Sequence, residues 1–148
     1  MMKTHLNISE AASIAIHTMS LLAEKPDQKL TNQQICDVLG CSNNTLAKVL
    51  QVLRKHGMIH SERGPNGGST IAIDPENVSI GEILVLFDGP APSSGCCLLG
   101  YGPCRNQECI LGGMVNTIHQ LVMKTLNETS LRKLAQSMKL GDPHHASP

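Results

Sequence analysis

Four cysteines, Cys96, Cys97, Cys104 and Cys109, crowd into fourteen residues of a 148-residue chain, while Cys36 and Cys41 stand apart. Thiolates are soft ligands that suit iron–sulfur clusters or zinc, and a loop bearing three of them can wrap one small cluster. Small Gly and Pro residues between them permit the close backbone approach that a cluster needs. Neither a C-x-x-C pair nor a repeated pair is present, so ordinary zinc-finger spacing is absent. A second chemistry lies in the charge distribution. Residues 1–40 carry three Lys against four acids, and 71–91 carry Asp74, Glu76, Glu82 and Asp88 with no base. Between them, Lys48, Arg54, Lys55 and Arg63 face only Glu62, so contact with a polyanion is expected there, although the formal net charge is zero.

These groups must be positioned by helices. From Ile8 to Ala23 the apolar residues Ile8, Ala11, Ala12, Ala15, Ile16, Met19, Leu22 and Ala23 recur at three- and four-residue steps, with Ser9 and Glu10 favouring the start, which predicts an amphipathic helix closed near Pro26. Thr31 can cap a second, short helix whose inward face would be Ile35, Val38 and Leu39, and Gly40 ends it. Ser42 caps a third helix with Leu46, Val49, Leu50 and Leu53 along one stripe. Two short helices joined by a tight turn, the second polar on its outer face, form a helix-turn-helix. Met58–Ser61 and Ser69–Ile73 read as strands flanking the glycine-rich tip Arg63-Gly64-Pro65-Asn66-Gly67-Gly68, which is a wing. Ser79–Phe87 fits another helix, with Ile80, Ile83, Leu84 and Phe87 on one side. Met114–Leu126 is helical again, with Val115, Ile118, Leu121, Val122 and Leu126 along one stripe. A helix extended past the core with such a stripe needs a partner, and a symmetry-related copy is the simplest one.

A recognition helix fits the major groove, where its outward polar side chains reach base edges. Asn44, Thr45 and Lys48 lie near the amino-terminal end of the third helix beside Ser42 and Asn43, while Arg54 and Lys55 lie near its far end, where phosphate is the better partner. Arg63 is the kind of side chain that a narrow minor groove attracts, and Gly64, Gly67 and Gly68 let the backbone come close. These residues compose the candidate contact set for double-stranded operator DNA. The plainer alternative is a solvated basic helix followed by an ordinary hairpin. A phosphate-cradling loop for nucleotides is excluded, because the glycines lack a Gly-Lys-Ser/Thr ending and lead into a strand.

The composition sets the outer bounds. Aromatic residues are only 1% of the chain, so the core is built from Leu, Ile, Val, Met and Ala, which favours packed helices over a β-sandwich. There is no secretory signal pattern and no run of eighteen apolar residues, so a cytoplasmic protein with reduced thiols and no membrane partner is expected.

Asn43–Ile59 (NNTLAKVLQVLRKHGMI), followed by Arg63–Gly68 (RGPNGG) and Ile80–Phe87, resembles the Rrf-two family of bacterial winged-helix transcription regulators, the group of IscR, NsrR and CymR. The resemblance runs from about Leu6 to Ala135 and implies a dimer bound to its operator. Asn44 and Lys48 then fall on base-reading positions, Ala47 on a reading position where it offers only apolar contact, and Arg63 on the position that enters the minor groove. Sensory members carry three cysteines in the loop, to which Cys97, Cys104 and Cys109 correspond, implying an iron–sulfur cluster of the 2Fe–2S or 4Fe–4S type. Two departures stand out. The middle cysteine comes one residue late, and Gly112 occupies the place of the histidine ligand of the cluster-assembly repressor. Glu10 falls where the nitric-oxide sensor supplies a carboxylate from the other subunit, with His119 and Cys96 as competing ligands. Clusterless relatives exist.

The expected architecture is mainly α with a small β-hairpin: a winged helix-turn-helix over 1–87, a cysteine-rich cluster loop over 88–113, a dimerisation helix and short C-terminal helix over 114–140, and a disordered tail over 141–148. The expected function is transcriptional regulation with sensing of redox, nitric oxide or iron–sulfur status. A clusterless or zinc-bound regulator is the alternative. A thiol enzyme using Cys97 or Cys104 with His119 as base is disfavoured, since no acid orients that histidine and such an enzyme has no use for the basic helix and wing. No small-molecule substrate is expected. Cys36 reads as core, Cys41 as structural, and His17 as a partly buried helix residue.

Overall fold

The computed structural model describes residues 8–90, 109–111 and 113–138. Six helices and one hairpin follow in the order α1 (Glu10–Glu24), α2 (Asn32–Leu39), α3 (Asn43–Lys55), β1 (Ile59–Glu62), β2 (Gly68–Ile71), α4 (Ile80–Asp88), α5 (Met114–Glu128) and α6 (Leu131–Met138). Cysteine positions 96, 97 and 104, and most of the loop to which they belong, lie outside the described residues, as does the tail over 141–148.

Most helix starts are chemically marked. Ser9, Thr31, Ser42 and Ser79 each accept a hydrogen bond from a backbone N–H of the first turn. At Thr31 and Ser79 the return bond from Gln34 or Glu82 completes a capping box. Each such cap contributes about 1 kcal/mol by satisfying a donor that has no partner within the helix. The α1 helix begins at Ser9 and Glu10, the residues expected to favour its start, and Ile8 precedes the cap and is exposed.

The α1 helix is amphipathic as expected, and it is deeply buried. From Ala11 to Glu24 no residue is exposed. Helices α2, α3, α4 and α6 and strand β2 all pack against it, and the polar residues Glu10, Ser13, His17 and Glu24 keep contact with solvent. Three of its four alanines, Ala12, Ala15 and Ala23, are fully buried. The covering element is α6: Leu131 and Ala135 are buried in the same cluster as Met19, Leu22, Leu46, Leu53 and Ile83. Backbone bonds Ile80 N–H to Thr129 O at 3.0 Å and Leu131 N–H to Val78 O at 2.8 Å bind the start of α6 to the start of α4.

Strands β1 and β2 pair antiparallel with Ile59 opposite Ile71 and Glu62 opposite Gly68. Leu30 adds one rung on the outer edge, exchanging backbone bonds with Ser69 at 3.0 and 2.8 Å. This rung ties the approach to α2 to the wing.

Candidate nucleic-acid interface

The α3 helix buries Leu46, Val49, Leu50 and Leu53 and leaves Asn44, Ala47, Lys48, Gln51, Arg54 and Lys55 exposed. That is the apolar stripe anticipated from the periodicity, and the helix of thirteen residues is about 20 Å long. Among the described residues no ion pair engages Lys48, Arg54, Lys55 or Arg63, so their charge is available to a partner. Ser42 and Asn43 are exposed but already occupied. Ser42 Oγ accepts from Thr45 N–H at 3.1 Å and lies 2.9 Å from Thr45 Oγ1, which makes half-buried Thr45 part of the cap. Asn43 Nδ2 donates to Gln33 Oε1 at 3.5 Å, which fixes the first residue of α3 against α2.

Gly40 ends α2 in the left-handed conformation, with φ of 66°, and its N–H returns to Cys36 O at 2.7 Å. The resulting tight turn sets α2 and α3 in helix-turn-helix relation. On α2, Ile35 is fully buried and Leu39 packs against the core, but Val38 is 48% exposed rather than inward. The buried partner on that turn is Cys36, because the helix presents 35, 36 and 39 to α1 and α3 and swings 38 outward.

The wing is built on close backbone approaches. A Cβ at Gly67 would stand 2.4 Å from Glu62 O, and one at Gly68, where φ is 156°, would stand 2.9 Å from Leu30 O. The turn closes through Gly67 N–H to Gly64 O at 2.9 Å. Lys29 pairs with Glu62, the single acid at the base of the wing, and so leaves the neighbouring Arg63 uncompensated. Helix α3 and the wing together line an open groove of about 600 Å³ whose walls include Thr31, Asn32, Gln51, Arg54, Arg63 and Gly64. Thr31, Asn32 and Lys29 were not legible as site residues, since nothing in the local pattern shows that the amino terminus of α2 folds beside the wing. The Leu30–Ser69 rung brings it there.

The profile of the Rrf2 family, described as "Iron-dependent Transcriptional regulator", matches residues 8–137. The chain belongs to the Rrf2 family. Transcriptional regulator NsrR of Shouchella clausii is 29% identical to this Rrf2 chain over 143 residues, covering 88% of this chain and 96% of that protein. Regulator IscR of Klebsiella pneumoniae is 26% identical over 104 residues, covering 70% and 63%. Among solved structures, CymR of Staphylococcus aureus superposes with a TM-score of 0.71 at 24% identity, over 86% of this chain and 97% of that one, a likeness of fold. The winged-helix expectation is thus met. This Rrf2 protein is a DNA-binding transcriptional regulator, not an enzyme. Among the described residues no helix is long and apolar enough to cross a membrane.

The described candidate ligands, Glu10, Cys109 and His119, lie on separate segments. Glu10 is exposed at the first position of α1, and the preceding Ser9 N–H donates to Asp88 Oδ2 at 3.0 Å. The amino end of α1 therefore sits against the end of α4, where the cysteine-rich segment departs. Cys109 carries a free, half-buried thiol shortly before α5. His119, on α5, has its Nε2 buried without a partner among the described residues. Among those residues no three His, Cys, Asp or Glu side chains group so as to hold a metal ion. His17 is half-buried, with Nδ1 2.7 Å from Ser13 O, a local helix contact.

Helix α5 has no buried residue at all. Met114, Ile118 and Leu121, on one face, are 45%, 42% and 64% exposed, and Ile110 just before the helix is 96% exposed.

Proposed function

We propose that this protein is a homodimeric operator-binding regulator in which α3 and the wing read DNA and the cysteine loop carries an iron–sulfur sensor. The observation that carries the DNA half is the groove shared by α3 and the wing, lined by unpaired Arg54 and Arg63, with Lys48 and Lys55 exposed on the same helix. Asn44 and Lys48 meet base edges in the major groove, Ser42, Asn43 and Thr45 steady the amino end of α3 there, and Arg54 and Lys55 meet phosphate. Arg63 enters the adjacent minor groove, with Gly64, Gly67 and Gly68 allowing the backbone to follow. The apolar face of α5 supports dimerisation, since three large side chains in register are left to water in the monomer. Two protomers then present their α3 helices to half-sites about one DNA turn apart.

For the sensor, the donor chemistry fits: Cys97, Cys104 and Cys109 supply three soft thiolates, and Glu10, at an exposed helix start, supplies a carboxylate to the partner subunit's loop. A bound 2Fe–2S or 4Fe–4S cluster would supply redox and nitric-oxide reactivity. The chain's own part is to hold it beside α5, so that a change at the loop alters the relative placement of the two reading helices. NsrR and IscR are the relatives that favour a cluster, whereas the likeness to CymR and the Gly112 position favour a clusterless reading.

Anaerobic purification with iron and sulfide analysis and an absorption spectrum separates these readings. A brown protein with stoichiometric sulfide is expected; a colourless protein with zinc or no metal overturns the cluster. In gel-shift titrations at fixed salt, Arg63→Ala is expected to weaken operator binding with the fold intact, and unchanged affinity removes the wing from the interface.

A further inference from the structure

Two thiols outside the loop meet at the helix-turn-helix turn. Cys36 lies on the last turn of α2 and is 6% exposed, while Cys41 follows Gly40 and is half-buried with a route to solvent. The left-handed Gly40 folds the chain back so that Cys41 S–H donates to Cys36 Sγ at 3.7 Å. Cys36 S–H in turn donates to Asn43 Oδ1 at 3.5 Å, and Asn43 is the first residue of α3. A relay of weak bonds thus runs from Cys41 through Cys36 and Asn43 to Gln33. The two sulfurs are in van der Waals contact, and a disulfide requires an approach to about 2.05 Å, a movement of roughly 1.7 Å. Among the described residues no third ligand joins them to complete a metal site. Two-electron oxidation is the chemistry left to such a pair.

We propose that Cys36 and Cys41 form a second thiol site, separate from the cysteine loop, at which a hydroperoxide closes a disulfide across the α2–α3 turn and weakens operator binding. Cys41, the accessible member, attacks the terminal oxygen of the hydroperoxide as thiolate. The O–O bond breaks, its electron pair leaves with the alkoxide, which takes up a proton to become an alcohol, and Cys41 becomes a sulfenic acid. Cys36 then gives up its proton and attacks the Cys41 sulfur, and the S–O bond breaks with hydroxide leaving as water. In sum, two thiols and one hydroperoxide yield one disulfide, one alcohol and one water. Burial pushes the Cys36 thiol up to about 11, with Cys41 and Asp37 adding to the effect, which suits the second, resolving role rather than first attack.

The consequence for DNA follows from position. The disulfide consumes the S–H that held Asn43 and draws the residue before the Ser42 cap toward α2. The amino end of α3 shifts, and bidentate base contacts do not survive displacements of that size. This second step rests on α3 being the reading helix; formation of the disulfide does not.

The test uses the full-length chain and hydrogen peroxide, followed by alkylation and mass spectrometry. Cleavage after Lys29 and Lys48 releases both thiols in one fragment, 30–48. That fragment is expected to become two hydrogens lighter, to resist alkylation, and to reopen with dithiothreitol. Binding is read on a duplex selected from a random pool by the reduced chain. Affinity of the natural chain is expected to fall at least about tenfold more than that of Cys41→Ser under the same dose, since both suffer equally at the loop. A fragment that stays fully alkylatable at doses that oxidise the loop cysteines overturns the site. A fragment that closes while affinity tracks Cys41→Ser overturns the link to DNA. If the reduced chain selects no duplex, the operator-reading function fails instead, and the mass measurement still decides the disulfide.

Discussion

At the scale of single residues, the proposed interface divides into groups expected to specify and groups expected to attract. Lys48 projects from the middle of α3 and Arg54 from its end, both exposed and both without an ion-pair partner among the described residues. Lys48→Ala is expected to cost about 1–3 kcal/mol on the preferred operator and to relax choice at one base position. Arg54→Ala is expected to weaken all duplexes alike and to lower the slope of log affinity against log salt by about one. Competition binding across a set of single-base operator variants at several salt concentrations separates the two outcomes. Cys36 carries a second residue-scale expectation. Its ordinary value is 9.0 and burial holds it at about 11 in the fold, so the unfolded chain ionises first as pH rises. The ionisation of Cys36 is therefore expected to leave stability unchanged below about pH 9 and to lower it between 9 and 11. In Cys36→Ala that alkaline decline should be shallower, as read from thermal melting across the same window. The apolar stripe of α3, the caps and the basic run were all legible from residue type and spacing, because each depends on neighbours within one or two turns. The Cys36–Cys41 contact was not, since it depends on the hand of the turn at Gly40.

At the scale of elements, the wing and α5 make opposite demands. The wing holds its shape only because Gly67 and Gly68 carry no Cβ where Glu62 O and Leu30 O approach. Gly67→Ala is expected to push the tip away from the groove and reduce operator affinity by about tenfold, while helix content by circular dichroism stays constant. The α5 helix, by contrast, exposes Ile118 and Leu121 to solvent. Replacing both with Asp is expected to leave the protomer folded, since neither side chain is buried within it, and to shift the mass in sedimentation from dimer to monomer. A natural chain that already sediments as a monomer would defeat the assignment of this face. Element boundaries came out close to expectation where a cap or a glycine marks them, as at Ser42, Gly40 and Ser79. They drifted where only residue patterning was available, as at the ends of the strands.

At the scale of the whole molecule, the chain closes on itself through α6. Leu131 is fully buried against the core that α1 organises, and Arg132 Nη1 reaches Ala23 O at 3.4 Å. A contact between residues so far apart in sequence makes the last described helix part of the scaffold that holds α3. Leu131→Ala is expected to destabilise the fold by about 2–5 kcal/mol, because the void opens in a packed interior. Chemical denaturation should show this as a lower midpoint with an unchanged slope. A cost near zero would mean that α6 is a loose appendage. Loss of this cover is also expected to weaken operator binding only in proportion to the fraction unfolded, since no DNA-facing residue lies on α6.

Sequence alone determined the helix-turn-helix, the wing tip, the location of positive charge and the family resemblance, because these rest on local spacing, caps and composition. Only the tertiary structure decided that five elements pack against α1, that Lys29 pairs with Glu62 beside Arg63, and that two thiols meet at the start of α3. Each of these turns on which distant segment arrives at a given face. Periodicity shows that a face is apolar or charged, and it leaves open what comes to cover it.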